Sequence, residues 1–397
     1  MIIGVVGKPS SGKSTFFNAA TMQDVPMASY PFTTIEANKA IGFVRVECVD
    51  KDFGVQCNPR HGFCVNGTRF VPVELVDVAG LVPGAHEGKG RGNQFLSDLS
   101  RADVLIHVVD AAGSTNEKGD PLPPGTHDPT GDIIFLEEEI GYWFLGILEK
   151  SWAKLAKTPY ESRDKMINAI TQHLSGIGAK QDQVEAAMRE LGTIEKKLNE
   201  WGEEDKKNFA FKLREKSKPI IIAANKMDLP AAKENVKKMR EKFPNTTIIP
   251  CSGIAELTLK RAAKEGAINY IQGAATFEIT KDLNEKQRQG IEYIKKNVLE
   301  TFGTTGVQEI LEKAVFQVLK YIAIFPGGTK GLGDKDGNII PDCFLLPPKS
   351  TALDFAYSLH TDFGDKFIKA INVKNKQLIG KEHQLAHRDV IEIVHGK

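Results

Sequence analysis

Gly7-Lys8-Pro9-Ser10-Ser11-Gly12-Lys13-Ser14, followed by Thr15, fits the spacing G-x-x-x-x-G-K-[ST]. These residue types suit a bound phosphate chain. Glycines let a loop fold back until its N–H groups point inward, and the N-terminus of the next helix adds a favourable dipole. In such a loop Lys13 reaches the β- and γ-phosphates, and the Ser14 hydroxyl is placed to coordinate Mg2+. A plain Gly/Ser turn capping a helix has a similar composition. The apolar run before the loop and the helix-forming run after it weigh against that alternative.

Three more groups extend this chemistry. Asp77-Val78-Ala79-Gly80 follows a second apolar run. Asp77 at a strand end can hold Mg2+ through water, and the Gly80 N–H can bond a γ-phosphate, which makes the next loop sensitive to its presence. By itself D-x-x-G is usually a turn. Asn225-Lys226-Met227-Asp228 comes after the apolar residues 220–224. An acidic side chain there accepts two hydrogen bonds from a base edge with N1–H and an exocyclic amine. Guanine has both and adenine does not, and a site of paired polar groups strongly rejects a ligand that leaves them unpaired. The expected ligand is therefore GTP or GDP rather than ATP. An exposed helix start with an asparagine cap is the alternative. Cys251-Ser252-Gly253 follows residues 247–249, and the N–H groups of Ser252 and Gly253 are candidates for contact with the guanine O6.

Something must hold these groups together. Residues 2–6, 71–76, 104–109, 220–224 and 247–249 are short apolar runs that read as buried strands, each ending near a polar or glycine-rich loop. In open α/β sheets, ligands bind at loops leaving the carboxyl ends of the strands. The expected fold class is α/β: a mostly parallel sheet around the phosphate loop, spanning residues 1–132 and 217–256. Residues 133–216 read as an inserted, coiled-coil-like helical domain. Phe135, Ile140, Trp143, Phe144, Ile147 and Trp152 recur there at helical spacing and read as an inward face. A second charged helix is expected over residues 184–201. Residues 257–322 read as a helical extension, and residues 323–397 as a small α+β domain with a single helix.

Composition narrows the setting. A chain of 397 residues is too long for one core. A net charge of +1 implies no global attraction to DNA or membrane. No apolar run reaches the roughly 18 residues of a membrane span, and the apolar start lacks the basic region of a signal peptide. Five cysteines in a chain of this size argue for a reducing cytoplasm. Cys57-x3-His61-x2-Cys64, with Cys48 upstream, has the ligand types of a Cys3His zinc site, against ordinary small core residues. Lys366, Lys369, Lys374, Lys376 and Lys381 offer phosphate contacts for RNA, although Asp362, Asp365 and Glu382 are interspersed with them.

The four motifs in this order resemble the translation-factor-type (TRAFAC) GTPases. Tyr30-Pro31-Phe32-Thr33-Thr34-Ile35 looks like the switch I signature of the Obg family. Residues 77–85, with Glu87-Gly88-Lys89-Gly90 and Gly92-Asn93-Gln94-Phe95-Leu96, look like its switch II. Residues 348–356, then His360 and Gly364, resemble a TGS domain, where His360 is expected to be structural. The helical insertion with a C-terminal TGS domain is similar to the YchF subfamily, over nearly the whole chain. The resemblance implies a cytoplasmic, ribosome- or translation-associated GTPase that binds guanine nucleotide and Mg2+. Ribosome or RNA contacts would fall on the TGS and helical domains. Ser14, Thr34 and Asp77 are the implied metal set, with either hydroxyl of Thr33-Thr34 able to serve and Thr34 favoured because some members have only the second threonine. Lys13, Thr34 and Gly80 are the implied catalytic set.

Departures from the family pattern shape the expected activity. Many YchF proteins carry glutamate at the position of Asp228 and prefer ATP. Potassium-activated relatives have asparagine where this chain has Ser10. Ras-like enzymes place glutamine after D-x-x-G, whereas this chain has Leu81, which cannot orient water by hydrogen bonding. Slow intrinsic hydrolysis is therefore expected, completed by a partner or by a reordered loop carrying His86 and Glu87. The rival expectations are a nucleotide-sensing adaptor with negligible turnover, and an ATPase.

Overall fold

The computed structural model describes residues 1–21, 38–78, 98–334 and 336–396. Thr34 and the rest of 30–35, and Gly80, Leu81, His86 and Glu87, lie outside the described residues. The elements of the nucleotide region are β1 Ile2–Val6, α1 Lys13–Ala20, β2 Lys39–Glu47, α2 Asp50–Phe53, β3 Phe63–Val65, β4 Thr68–Asp77 and β5 Val104–Asp110. The helical stretch follows as α3 Pro129–Lys150, α4 Trp152–Lys157, α5 Arg163–Leu174, α6 Gln181–Glu190 and α7 Glu203–Ser217. Next come β6 Ile220–Asn225, α8 Ala231–Lys242, β7 Ile248–Pro250, α9 Gly253–Lys264, β8 Ile268–Asn269, β9 Glu278–Ile279, α10 Glu285–Ile294 and α11 Val307–Glu312. The C-terminal part holds β10 Ile322–Pro326, β11 Phe344–Leu346, α12 Ala352–Leu359, α13 Thr361–Asp365, β12 Phe367–Asn372, β13 Gln377–Ile379 and β14 Val390–His395.

The chain divides into two compact units. Among the described residues, one is drawn from residues 1–21, 38–40, 75–78 and 98–310, the other from residues 41–74, 311–334 and 336–396. Seven strands form one sheet in the order β2-β4-β1-β5-β6-β7, with β3 on β4. In the first unit β1, β5, β6 and β7 are parallel. Every residue of β5 is buried, as expected of a parallel strand covered on both faces. The carboxyl ends of β1, β5, β6 and β7, and of β4, deliver Gly7, Asp110, Asn225, Cys251 and Asp77 to one side of the sheet.

His107 is the exception in β5. It pairs in register with Val6 and Ile222, is buried, and its Nδ1 has no hydrogen-bond partner among the described residues. Burial, and then the charge of Lys8, push its pKa down to about 3. Between its ordinary value and that value, the unfolded chain takes up a proton that the folded chain refuses. Stability therefore falls as pH drops below about 6.5, by up to about 1.4 kcal/mol per pH unit from this one group. Thermal denaturation at pH 7 and pH 5 should show the loss, and His107→Val should show a smaller one.

The helices after β5 share one core. Leu136, Ile140, Trp143, Phe144 and Leu148 of α3 pack with Met166, Ile167 and Ile170 of α5, Val184 of α6, and Phe209 and Leu213 of α7. The aromatic stripe therefore faces inward, as its spacing predicts. The first helix begins at Pro129, earlier than residue 133, because Asp128 caps it by accepting from Thr130 N at 2.9 Å and proline suits the first turn. The helix expected over 184–201 ends instead at Glu190. Gly192 adopts φ 68 there, a left-handed stop, and only short turns follow. Residues 257–322 are likewise not helical throughout, since β8 and β9 form a small antiparallel pair, with left-handed glycines at Gly266 before β8 and at Gly273 between the two strands.

In the second unit, five strands run in the order β11-β10-β14-β12-β13. Phe355 of α12 is buried in their core with Ile324, Ala370 and Ile391. Thr351 and Asp354 cap α12 reciprocally. His360 accepts from Asp362 N at 3.1 Å and starts a second short helix, α13, where one helix was expected. Lys374, a candidate RNA contact, is bonded to Asp52 Oδ2 at 2.6 Å. Among the described residues, no helix is long and apolar enough to cross a membrane.

Candidate nucleotide site

The loop after β1 is built around two glycines that nothing larger could replace. A Cβ on Gly7 would lie 2.7 Å from Val108 O and 2.8 Å from Ser11 Oγ. Gly12 has φ 88, and a Cβ there would lie 2.3 Å from Asn225 Nδ2. The N-terminus of α1 carries no side-chain cap and no acidic residue in its first turn, so its N–H groups and dipole are left for an anion. Ser11 is buried and its Oγ has no hydrogen-bond partner among the described residues. Ser14 opens toward solvent on the first turn of α1. Lys13 Nζ pairs with Asp77 Oδ1, which brings the second motif against the first.

Two members of the loop are committed elsewhere. The Lys8 side chain is buried, pairs with Asp132 at 2.8 Å and donates to Thr115 O at 2.9 Å. Only its backbone remains available. Pro9 has no N–H, so neither it nor the Lys8 amine can donate to phosphate. Ser10, exposed at φ 60, and Thr15 complete the loop and the first helical turn.

At the other end of the site, Asn225 joins two loops. Its Nδ2 donates to Ser11 O at 3.0 Å, and its Oδ1 accepts from Gly253 N at 3.0 Å. Lys226, at φ 64, donates to Asp110 Oδ2 and Ser114 Oγ, each at 3.0 Å. Burial alone would raise the Asp110 carboxyl, but hydrogen bonds from Lys226, Thr115 and Ser114 outweigh it and hold the group below the usual carboxylate range. Asp228 Oδ1 accepts from Ser252 Oγ at 2.7 Å, and its backbone oxygen accepts from Tyr293 Oη at 2.9 Å. Ser252 Oγ also accepts from Ala255 N at 3.2 Å as the cap of α9. The carboxylate is thus aimed by a hydroxyl that is itself fixed to a helix start.

The third and fourth motifs therefore meet, but not as the sequence predicts. The Ser252 N–H donates to Thr305 O at 2.9 Å, and the Gly253 N–H is taken by Asn225. Neither is left for a guanine O6; both instead hold the loop that positions Asp228. Cys251 is fully buried beside it, and burial followed by the Asp228 charge pushes its thiol up, which fits a core residue. Sequence reasoning missed Asp110, Tyr293, Thr305 and Gly306. Only the last had a signal, two glycines three residues apart at 303 and 306. Gly306 has φ 81, and a Cβ would lie 2.1 Å from Pro250 O. Gly306→Ala is expected to cost about 1–3 kcal/mol of stability and to weaken nucleotide binding, read by thermal denaturation and by calorimetry.

A parallel sheet whose first strand enters an uncapped glycine loop, with a carboxylate held at the far end, defines a P-loop GTP-binding protein. The profile described as "50S ribosome-binding GTPase" matches residues 2–122. That of the "Obg-like GTPase YGR210-like, G4 motif-containing domain" matches residues 223–327, and the TGS domain matches residues 334–395. An uncharacterized GTP-binding protein of Methanocaldococcus jannaschii is 45% identical over 99% of this chain and 98% of its own length. The ribosome-binding ATPase YchF of Bacillus subtilis is 28% identical over 95% of this chain and 89% of its own length. The crystal structure of a GTP binding protein from Pyrococcus horikoshii superposes with a TM-score of 0.78 at 38% identity, covering 100% of both chains. The YchF GTPase of Schizosaccharomyces pombe shares the fold, with a TM-score of 0.59 at 21% identity over 99% of this chain and 97% of its own. The chain belongs to the Obg-like family of GTP-binding proteins, with a C-terminal TGS domain.

Proposed function

We propose that the protein hydrolyses GTP slowly to GDP and phosphate, and that it acts as a nucleotide-dependent switch in translation. The observation that carries guanine selectivity is Asp228, aimed by Ser252 and anchored through its backbone by Tyr293. An ionised carboxylate in that position accepts from N1–H and the exocyclic amine of guanine, and repels the lone pair at adenine N1. The ribosome connection rests on the TGS domain and on the ribosome-binding ATPase YchF of Bacillus subtilis as a relative. We assign residues 1–132 and 217–256 to nucleotide binding, with 257–322 as an extension of that domain, and residues 133–216 and the TGS domain to contacts with partners.

The residues present fit a magnesium nucleotide. Oxygen donors of the type Mg2+ prefers are supplied by Ser14 and Asp77, with Thr34 as the third. When bound, the ion neutralises charge on the phosphate oxygens. Lys13 moves from Asp77 to the β- and γ-phosphates and stabilises the charge that develops there. The N–H groups of the loop and of α1 would orient the phosphate chain, with Gly80, from the D-x-x-G motif, as the candidate contact to the γ-phosphate. Residue 81 is leucine, which offers no hydrogen bond to a water, so slow turnover without a partner follows from the sequence. Turnover of the isolated chain is expected on the order of 10⁻³ per second or slower. Single-turnover phosphate release, with and without ribosomes, tests this. Acceleration by ribosomes supports the reading, and fast release by the chain alone contradicts it.

A further inference from the structure

Away from the nucleotide, the second unit holds a group of side chains with the composition of a metal centre. Cys48, Asp50, Cys57 and Cys64 each offer one ligand atom, and these atoms all lie within 4.8 Å of one another. They sit on the excursion between β2 and β4. Cys48 follows β2, Asp50 opens α2, Cys57 lies in the loop after α2, and Cys64 is in β3. The sulfurs of Cys48 and Cys57 are 3.6 Å apart, and Cys64 Sγ is 3.8 Å from Asp50 Oδ2. Zn–S bonds of about 2.3 Å in a tetrahedron place sulfurs about 3.8 Å from each other. A disulfide requires about 2.0 Å.

Two buried groups beside these sulfurs are incompletely satisfied. Asp50 is 3% exposed, and its Oδ1 has no hydrogen-bond partner among the described residues. A buried acceptor left unused is costly, and a cation would satisfy it. Arg69 is 1% exposed. Its Nη2 donates to Ile340 O at 2.6 Å, while Nε and Nη1 have no partner among the described residues. This guanidinium lies close enough to Cys48 and Cys57 for their charge to act on it. His61, the fourth ligand suggested by spacing, is not in the group. The chain reverses at Gly62, φ 75, to enter β3, and α2 supplies Asp50 in its place.

We propose that Cys48, Cys57, Cys64 and Asp50 bind one zinc ion as a structural site. As each Zn–S bond forms, the thiol proton leaves to solvent, and the carboxylate closes the four-coordinate shell. Three thiolates and a carboxylate around a dication leave surplus negative charge, which Arg69 offsets from the surrounding shell. The segment between Cys57 and Cys64 carries contacts of its own within this unit. Asn58 N donates to Ile339 O and Arg60 N to Pro341 O, each at 3.0 Å, and Arg60 pairs with Asp342. The ion braces the loop that makes them.

The test is metal analysis of the full chain purified under reducing conditions without chelator, followed by cobalt(II) titration of the metal-stripped chain. The expected result is close to one zinc per chain, and a thiolate-to-cobalt charge-transfer band with the visible bands of a tetrahedral ion. Cys57→Ser should weaken cobalt binding by about a hundredfold or more, and Asp50→Ala by about tenfold or more. Cys343→Ser, outside the group, should leave the spectrum unchanged. GDP binding by each variant reports whether it has folded. A wild-type chain that carries no zinc and gives no thiolate–cobalt band overturns the proposal. So does a Cys48–Cys57 disulfide in freshly isolated protein, or a cobalt spectrum lost in His61→Ala and kept in Asp50→Ala.

Discussion

Asp228→Ala is expected to lower the affinity for GDP and for GTP analogues by about a hundredfold or more, without unfolding the chain. Two hydrogen bonds to a charged acceptor are lost, each worth about 1.5–3 kcal/mol. The loss is specific because the carboxylate is only half-buried and its one recorded side-chain partner, Ser252, keeps its second role as the cap of α9. Asp228→Asn makes a sharper test. An amide presents one acceptor and one donor, which matches the N1–H and C2 carbonyl of xanthine instead of the two donors of guanine. That variant should therefore bind xanthosine diphosphate better than GDP. A reversed preference has no explanation in a merely structural role for Asp228. Calorimetry with the two diphosphates checks it.

Lys13→Met is expected to reduce the rate of hydrolysis by about 10²–10³, the usual consequence of removing one donor to a developing oxyanion. GTP-analogue affinity should fall more than GDP affinity, because the amine is shared between β- and γ-phosphates. Stability of the nucleotide-free chain should change little. The Lys13–Asp77 pair is partly exposed, with side-chain exposures of 14% and 26%, and such pairs contribute about 0–1 kcal/mol. Single-turnover kinetics and a denaturation curve on the same sample separate the two effects. A variant that hydrolyses GTP normally would mean that Lys13 stays with Asp77 when nucleotide binds.

Much of this arrangement was legible in the sequence because apolar β-branched runs that end in glycine or acidic residues can hardly be anything but buried strands. β1 and β5 read that way, and β6, ending in Asn225, reads as a strand from its apolar run alone; the phosphate loop and the Asn225 to Asp228 motif do lie where β1 and β6 end. What was not legible depends on which hydrogen bond a group finds once loops pack. Ser252 and Gly253 were assigned as donors to the base, yet both N–H groups are spent inside the protein, on Thr305 and Asn225. Lys8 looked like a phosphate contact from its place in the loop, and a buried acid on α3, Asp132, takes its amine. Asp110 looked like nothing more than the last residue of a strand, yet it anchors Lys226. Helix lengths failed for a local reason: amphipathic spacing runs on past residue 190, but Gly192 adopts the left-handed turn that ends a helix. The sulfur ligands were recognisable by type, whereas their oxygen neighbour Asp50 was not, because only the fold of α2 brings it back to Cys48.

Guanine recognition through Asp228 is tested most directly by calorimetric titration of the full chain with GDP, ADP and the non-hydrolysable triphosphates of both bases, with Mg2+ present. Both guanine nucleotides should bind tightly, and the adenine nucleotides should bind more weakly by at least about a hundredfold. Equal or tighter binding of the adenine nucleotides would contradict that recognition.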